Sequence, residues 1–130
     1  MRISQALFDD IVAHAREESP NECCGMIASR NGEAVQIFRA TNTAASPFRY
    51  ELDPMEQYRI QTEIDDLGME LGAIYHSHTR SDPVPSQTDI NLAFYPESVY
   101  LIVGVKDDEP DVRAWHIADG KYSEAKITVG

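Results

Sequence analysis

The stretch from residue 71 to residue 94 constrains the fold more than any other part of the chain. Leu71-Gly72-Ala73-Ile74-Tyr75 is a short, nearly continuous apolar run, which predicts a buried strand. It passes without a turn residue into His76-Ser77-His78. On a continued strand, side chains two residues apart share a face, so the two imidazoles would point the same way. Pro83 and Pro85 then force a loop. Ser86-Gln87-Thr88-Asp89 opens an apolar-periodic stretch, Ile90, Leu92, Ala93 and Phe94, which predicts a helix starting at Ser86. Such a chain needs a buried strand ending in two histidines, a tight return, and a helix whose first turn aims an acid back at the strand end.

Each part of this segment has an ordinary structural explanation. Ser86-x-x-Asp89 resembles a capping box, with a serine N-cap and an acid in the first turn. Either histidine could be a satisfied polar residue. The conjunction points elsewhere. Two imidazoles and a carboxylate are the minimum protein set for a catalytic zinc that keeps its fourth position open for water. A serine three residues before the carboxylate can hydrogen-bond whatever binds at that position. His76, His78 and Asp89 are therefore the candidate metal ligands, with Ser86 beside them.

Such a metal needs a base for its water, or it only binds. The candidate is Glu22, in Pro20-Asn21-Glu22-Cys23-Cys24-Gly25. It follows a proline-terminated helix and precedes the strand-like run Cys24-Gly25-Met26-Ile27-Ala28, so it can reach a metal held on a neighbouring strand. Taken alone it would be an exposed loop acid, like most of the 22 acids of the chain. Adjacent Cys23 and Cys24 are poorly placed for a mutual disulfide and lack the C-x-x-C spacing of a zinc pair. Strand alternation places Cys24 in the core and leaves Cys23 near the site or exposed.

Glu22, the His76-Ser77-His78 run, and Ser86 with Asp89, in that order and spacing, resemble the JAMM (MPN+) zinc metalloprotease family. The Pro20-x-Glu22-x-Cys24-Gly25 run is similar to the family's pattern as well. Within the family the chain looks most like the small bacterial Mec-type peptidases that act on sulfur-carrier-protein–cysteine conjugates. Thr79 stands where many relatives have proline, which weakens any transfer of substrate preference from the deubiquitinating branch. The resemblance implies one zinc per chain on His76, His78 and Asp89. It implies Glu22 as the general base and proton shuttle for the zinc-bound water, and Ser86 as the donor to the tetrahedral intermediate. It implies an α/β, cytidine-deaminase-like domain over residues 1–130. The implied substrate is the C-terminal tail of a ubiquitin-like sulfur carrier, from which cysteine is released; an extended tail could dock beside a sheet edge. A broader isopeptidase of the deubiquitinase type with the same site, and a non-catalytic MPN scaffold that binds partner proteins, are the competing expectations. A serine hydrolase built on Ser86 lacks the nucleophile-elbow sequence.

The remaining chain is consistent with one domain of mixed, mostly antiparallel sheet flanked by helices. Ser4 is a helix cap, and Leu7, Phe8, Ile11, Val12 and Ala15 form a helical stripe ending near Ser19-Pro20. Strands are predicted at about 24–30 and 33–41, with an Asn31-Gly32 hairpin turn. Residues 42–53 read as a loop, in which Phe48, Arg49 and Tyr50 serve either local packing or a substrate groove. Asp53-Pro54-Met55-Glu56 opens a helix whose Ile60, Ile64, Leu67 and Leu71 face the core. Strands over 98–105, 112–118 and 122–129 close the chain, the last two joined at Asp119-Gly120. His14 and His116 lie outside the motif and are expected to be structural or solvated. A net charge of −11 argues against nucleic acid, which needs clustered cations. No run is long and apolar enough for a membrane helix, and the charged amphipathic first 20 residues are unlike a signal peptide. A cytoplasmic enzyme is expected, and its composition is compatible with an oligomer.

Overall fold

A computed structural model describes residues 1–130. The elements in order are β1 (Arg2–Ile3), α1 (Gln5–Glu18), β2 (Cys24–Arg30), β3 (Glu33–Ala40), α2 (Pro54–Asp66), β4 (Glu70–His78), α3 (Gln87–Asn91), β5 (Val99–Gly104), β6 (Asp111–Ala118), β7 (Lys121–Ala125) and β8 (Thr128–Val129). All eight strands join one mixed sheet in the order β7-β6-β5-β4-β2-β3-β1-β8. The hairpins β2–β3 and β6–β7 turn at Asn31-Gly32 and Asp119-Gly120, where both residues of each pair take positive φ, as two-residue hairpin turns require. β4 pairs antiparallel with β2 and parallel with β5, and the crossover to β5 carries α3.

Both faces of the sheet are covered. Ile11 and Ala15 of α1 pack on Cys23, Ile27, Ala73, Tyr75, Leu101 and Val103. Ile60 and Ile64 of α2 pack on Cys24, Met26 and Ala28. Beside them, Ile90 of α3 packs against the group that holds Ile74, Tyr100 and Ile102. From Ala73 onward, odd-numbered β4 residues thus face α1, and even-numbered ones, His76 and His78 included, face α2 and α3.

Five details depart from the sequence reading, the first being that the strand expected over 122–129 is split into β7 and β8 on opposite edges of the sheet. Cys23 is as buried as Cys24, 1% against 0%, because α1 covers the face that a one-sided sheet would leave open. Leu67 is exposed rather than in the core, because α2 ends there, with Leu67 as its C-cap. The helix after Ser86 stops at Asn91 and leaves Phe94 exposed. Finally, Arg2–Ile3 forms a short strand, parallel to both β3 and β8.

Candidate metal centre

The register of β2 against β4 builds the site. Cys24 opposes His76, the Ser77 N–H donates to the Cys23 carbonyl at 3.2 Å, and the Ser77 hydroxyl accepts from the Cys23 N–H at 2.8 Å. The same register carried further sets Glu22 opposite His78, on the face that carries both imidazoles. Pro83 and Pro85 turn the chain into α3. There the capping box forms as the spacing predicts: Ser86 Oγ accepts from the Asp89 N–H at 3.1 Å, and the Ser86 N–H donates to Asp89 Oδ2 at 2.9 Å. The capping arrangement and the metal arrangement coexist, since the Asp89 carboxylate that caps α3 also lies 3.1 Å from His76 Nε2 and 3.0 Å from His78 Nε2.

The two Nε2 atoms are 3.3 Å apart, and all three residues are buried, with their ligand atoms within 4.8 Å of one another. A tetrahedral ion with bonds of about 2.0–2.1 Å sets its ligands roughly 3.3 Å apart, so this group could hold a metal. The tautomer fits too. His78 Nδ1 lies 2.8 Å from the Asp82 carbonyl, an acceptor that keeps the proton on Nδ1 and frees Nε2 to ligate.

The electrostatics are those of a desolvated site. Burial lowers the His76 pKa despite Asp89 and keeps its imidazole neutral. For His78, burial acts the same way but is outweighed by hydrogen bonds to Asp89 and the Asp82 carbonyl and by the charge of Asp89, so its pKa is raised. Burial acts to raise Asp89, yet the two histidines and the Ser86 N–H hold it well below the usual carboxylate range. Glu22 differs. It is 3% exposed, and its Oε1 has no hydrogen-bond partner. Burial, reinforced by Asp89 and opposed by His78, pushes its carboxyl up to about 8. An unpartnered buried carboxylate facing a possible ligand set is otherwise costly; it is explained if something in the site is its partner.

The structure also recruits residues outside the metal motif. Tyr50 is buried and stacks on His76, with ring centroids 4.4 Å apart. It also walls a cavity of about 360 Å³ lined by Leu52, Gln57, Ile74, Tyr95 and Tyr100. Asn42 ties the 42–52 loop together. Its Nδ2 donates to the Glu22 and Arg49 carbonyls, and its Oδ1 accepts from the Ala44 and Glu51 N–H groups. An asparagine at a strand end opening a long loop is the signal that could have marked it. His14 belongs elsewhere, buried with Nδ1 2.7 Å from the Tyr75 hydroxyl, and His116 is exposed on β6.

Comparison with known proteins shows what the chain as a whole is similar to. A family model described as prokaryotic homologs of the JAB domain matches residues 4–118. The chain is 35% identical over 126 residues to the CysO-cysteine peptidase of Mycobacterium tuberculosis, covering 95% of this chain and 86% of that protein. It is 43% identical over 102 residues to the desampylase of Haloferax volcanii, covering 72% of this chain and 73% of the relative. Its fold superposes on the solution structure of a Desulfitobacterium hafniense protein with a TM-score of 0.89 at 27% identity, over 99% of this chain and 92% of that one. It also superposes on a JAB1/MPN domain protein from Archaeoglobus fulgidus with a TM-score of 0.66 at 19% identity, over 100% of this chain and 96% of that one. The chain belongs to the prokaryotic JAB-domain family and is a JAMM-type metallopeptidase.

Proposed function

We propose that this protein is a zinc-dependent peptidase that hydrolyses the amide bond joining the C-terminus of a ubiquitin-like sulfur carrier to cysteine. The observation that carries the reading is Asp89 packed against both imidazoles at ligand spacing, with the unpartnered Glu22 on the same face. The name of the 35%-identical relative, a CysO-cysteine peptidase, supports the substrate class.

His76, His78 and Asp89 would hold the zinc, which when bound supplies Lewis acidity, lowering the pKa of water toward about 7 and polarising a carbonyl. Glu22 takes the proton of the attacking water on Oε1 and returns it to the departing amine. A carboxylate within hydrogen-bond reach of that water can do both. Ser86 Oγ already accepts the Asp89 N–H, so its own O–H is left to donate to the oxyanion of the tetrahedral intermediate. The Asp82 carbonyl fixes the His78 ring, and Tyr50 stacked on His76 excludes water from that side.

A second reading is favoured by the 43%-identical desampylase: the same site would cleave isopeptide bonds between a carrier tail and lysine side chains. Two conjugates of one Gly-Gly-ended carrier separate the readings, one linked to cysteine and one to a lysine ε-amine, with products followed by mass spectrometry. Release of cysteine by the zinc-loaded wild type, lost in Glu22→Gln with zinc retained, supports the proposal. Cleavage of the lysine conjugate alone transfers support to the second reading. Cleavage of neither refutes both substrate readings.

A further inference from the structure

The leaving-group side of the site carries a cation that the mechanism above does not use. Glu22 returns the proton to the departing amine, so the leaving group lies on the Glu22 side. Two loops are pinned to that segment. The Thr79 hydroxyl donates to the Pro20 carbonyl at 2.9 Å, which fixes the chain just beyond His78. From the other side, the Glu22 N–H donates to the Ser46 carbonyl at 2.9 Å, and the Ser46 hydroxyl accepts from the Phe48 N–H at 3.0 Å. The residues next along the two loops, Arg80 and Phe48, then meet. The Arg80 guanidinium lies 5.5 Å from the centroid of the Phe48 ring. Both side chains are exposed, Phe48 by 69%.

Arg80 has no acid partner, whereas the neighbouring acid of its loop, Asp82, is taken by Lys106 at 2.7 Å. In a chain of net charge −11, the general field repels an anionic ligand, so an unpaired guanidinium on a loop tied to the Pro20–Glu22 segment stands out. A guanidinium lying over an aromatic ring at this distance keeps its N–H groups free, and their fork matches a carboxylate bidentately. The chemistry of the leaving group supplies one. An amino acid released through its α-amine carries a free α-carboxylate on the carbon bonded to that nitrogen. A lysine ε-amine leaving group carries none there.

We propose that Arg80, held on Phe48, is the specificity-determining residue that binds the free α-carboxylate of the leaving amino acid and so selects C-terminal single-residue release over isopeptide cleavage. This rests on the peptidase reading above and deepens it.

The test compares two probes, acetyl-Gly-Gly-S-methylcysteine and its C-terminal amide, which differ only in that carboxylate. S-methylation keeps the thiol off zinc. In the zinc-loaded wild type, kcat/KM for the acid should exceed that for the amide by about tenfold to a hundredfold, the size of one charge-assisted interaction. In Arg80→Gln the ratio should fall to near one, while Arg80→Lys should recover part of it. Being taken within one protein, the ratio is insensitive to metal loading or folding losses. A wild-type ratio near one, or a ratio unchanged in Arg80→Gln, overturns the assignment and leaves the peptidase reading standing. If neither probe is cleaved, the peptidase reading fails for these substrates, and binding decides the Arg80 assignment. Chemical-shift titration with free S-methyl-L-cysteine should then perturb Arg80 and Phe48 in the wild type but not in Arg80→Gln, and no perturbation in the wild type overturns the assignment.

Discussion

Glutamine in place of Glu22 should stabilise the metal-free protein increasingly as pH rises above about 4.5. Glu22 is buried, its Oε1 is unpartnered, and burial pushes its carboxyl from an ordinary 4.5 to about 8. Between those values the folded protein holds a proton that the unfolded chain has released. Stability therefore falls as pH rises through this window, and the loss is complete above about 8. The displacement corresponds to roughly 5 kcal/mol at the alkaline end. Glutamine keeps the shape and cannot ionise. Urea unfolding in the presence of a chelator should give wild type and Glu22→Gln stabilities within about 1 kcal/mol of each other near pH 5. Near pH 9 the variant should be more stable by several kcal/mol, up to about 5. Parallel stability curves from pH 5 to 9 would refute the claim that Glu22 is a desolvated carboxylate awaiting a partner.

Three further outcomes follow from the same geometry. Glu22→Ala should keep its zinc by elemental analysis yet lose turnover by about a hundredfold to ten-thousandfold, the range of a lost general base; near-wild-type turnover would remove Glu22 from that role. Ser86→Ala should lose about 1 kcal/mol in denaturant unfolding, because Ser86 caps α3, and should lower kcat more than it raises KM, since its donor role is confined to the transition state. An unchanged kcat would leave Ser86 a cap only. Gly25→Ala should destabilise the fold by about 1–3 kcal/mol, because the new Cβ would come within 2.3 Å of the fully buried Tyr75 ring; wild-type stability would mean that this ring can move aside.

The grouping of the candidate ligands was largely legible because their spacing is local. His76 and His78 share a strand, Ser86 and Asp89 share a helical turn, and the two prolines between them leave little choice of path. Glu22 was legible only because the downstream motif called for a base, and the resemblance agreed. Nothing in its own neighbourhood separates it from the other acids, and its position is set by the β2–β4 register, a long-range pairing. The same limit hid the sheet order and β1, whose two residues are too few to show a period and are held by β3 and β8 from far along the chain. Tyr50 was left between packing and groove, and it does both, stacking on His76 while walling the adjoining cavity. Leu67 and Phe94 were misplaced because hydrophobic spacing does not reveal where a helix stops.

The most direct test of the account is metal content. Wild-type protein purified without chelator and supplied with zinc should hold about one zinc per chain, and His76→Ala and Asp89→Ala should hold almost none. Full zinc in both variants, or none in the wild type, would contradict the metal centre on which the rest of the account depends.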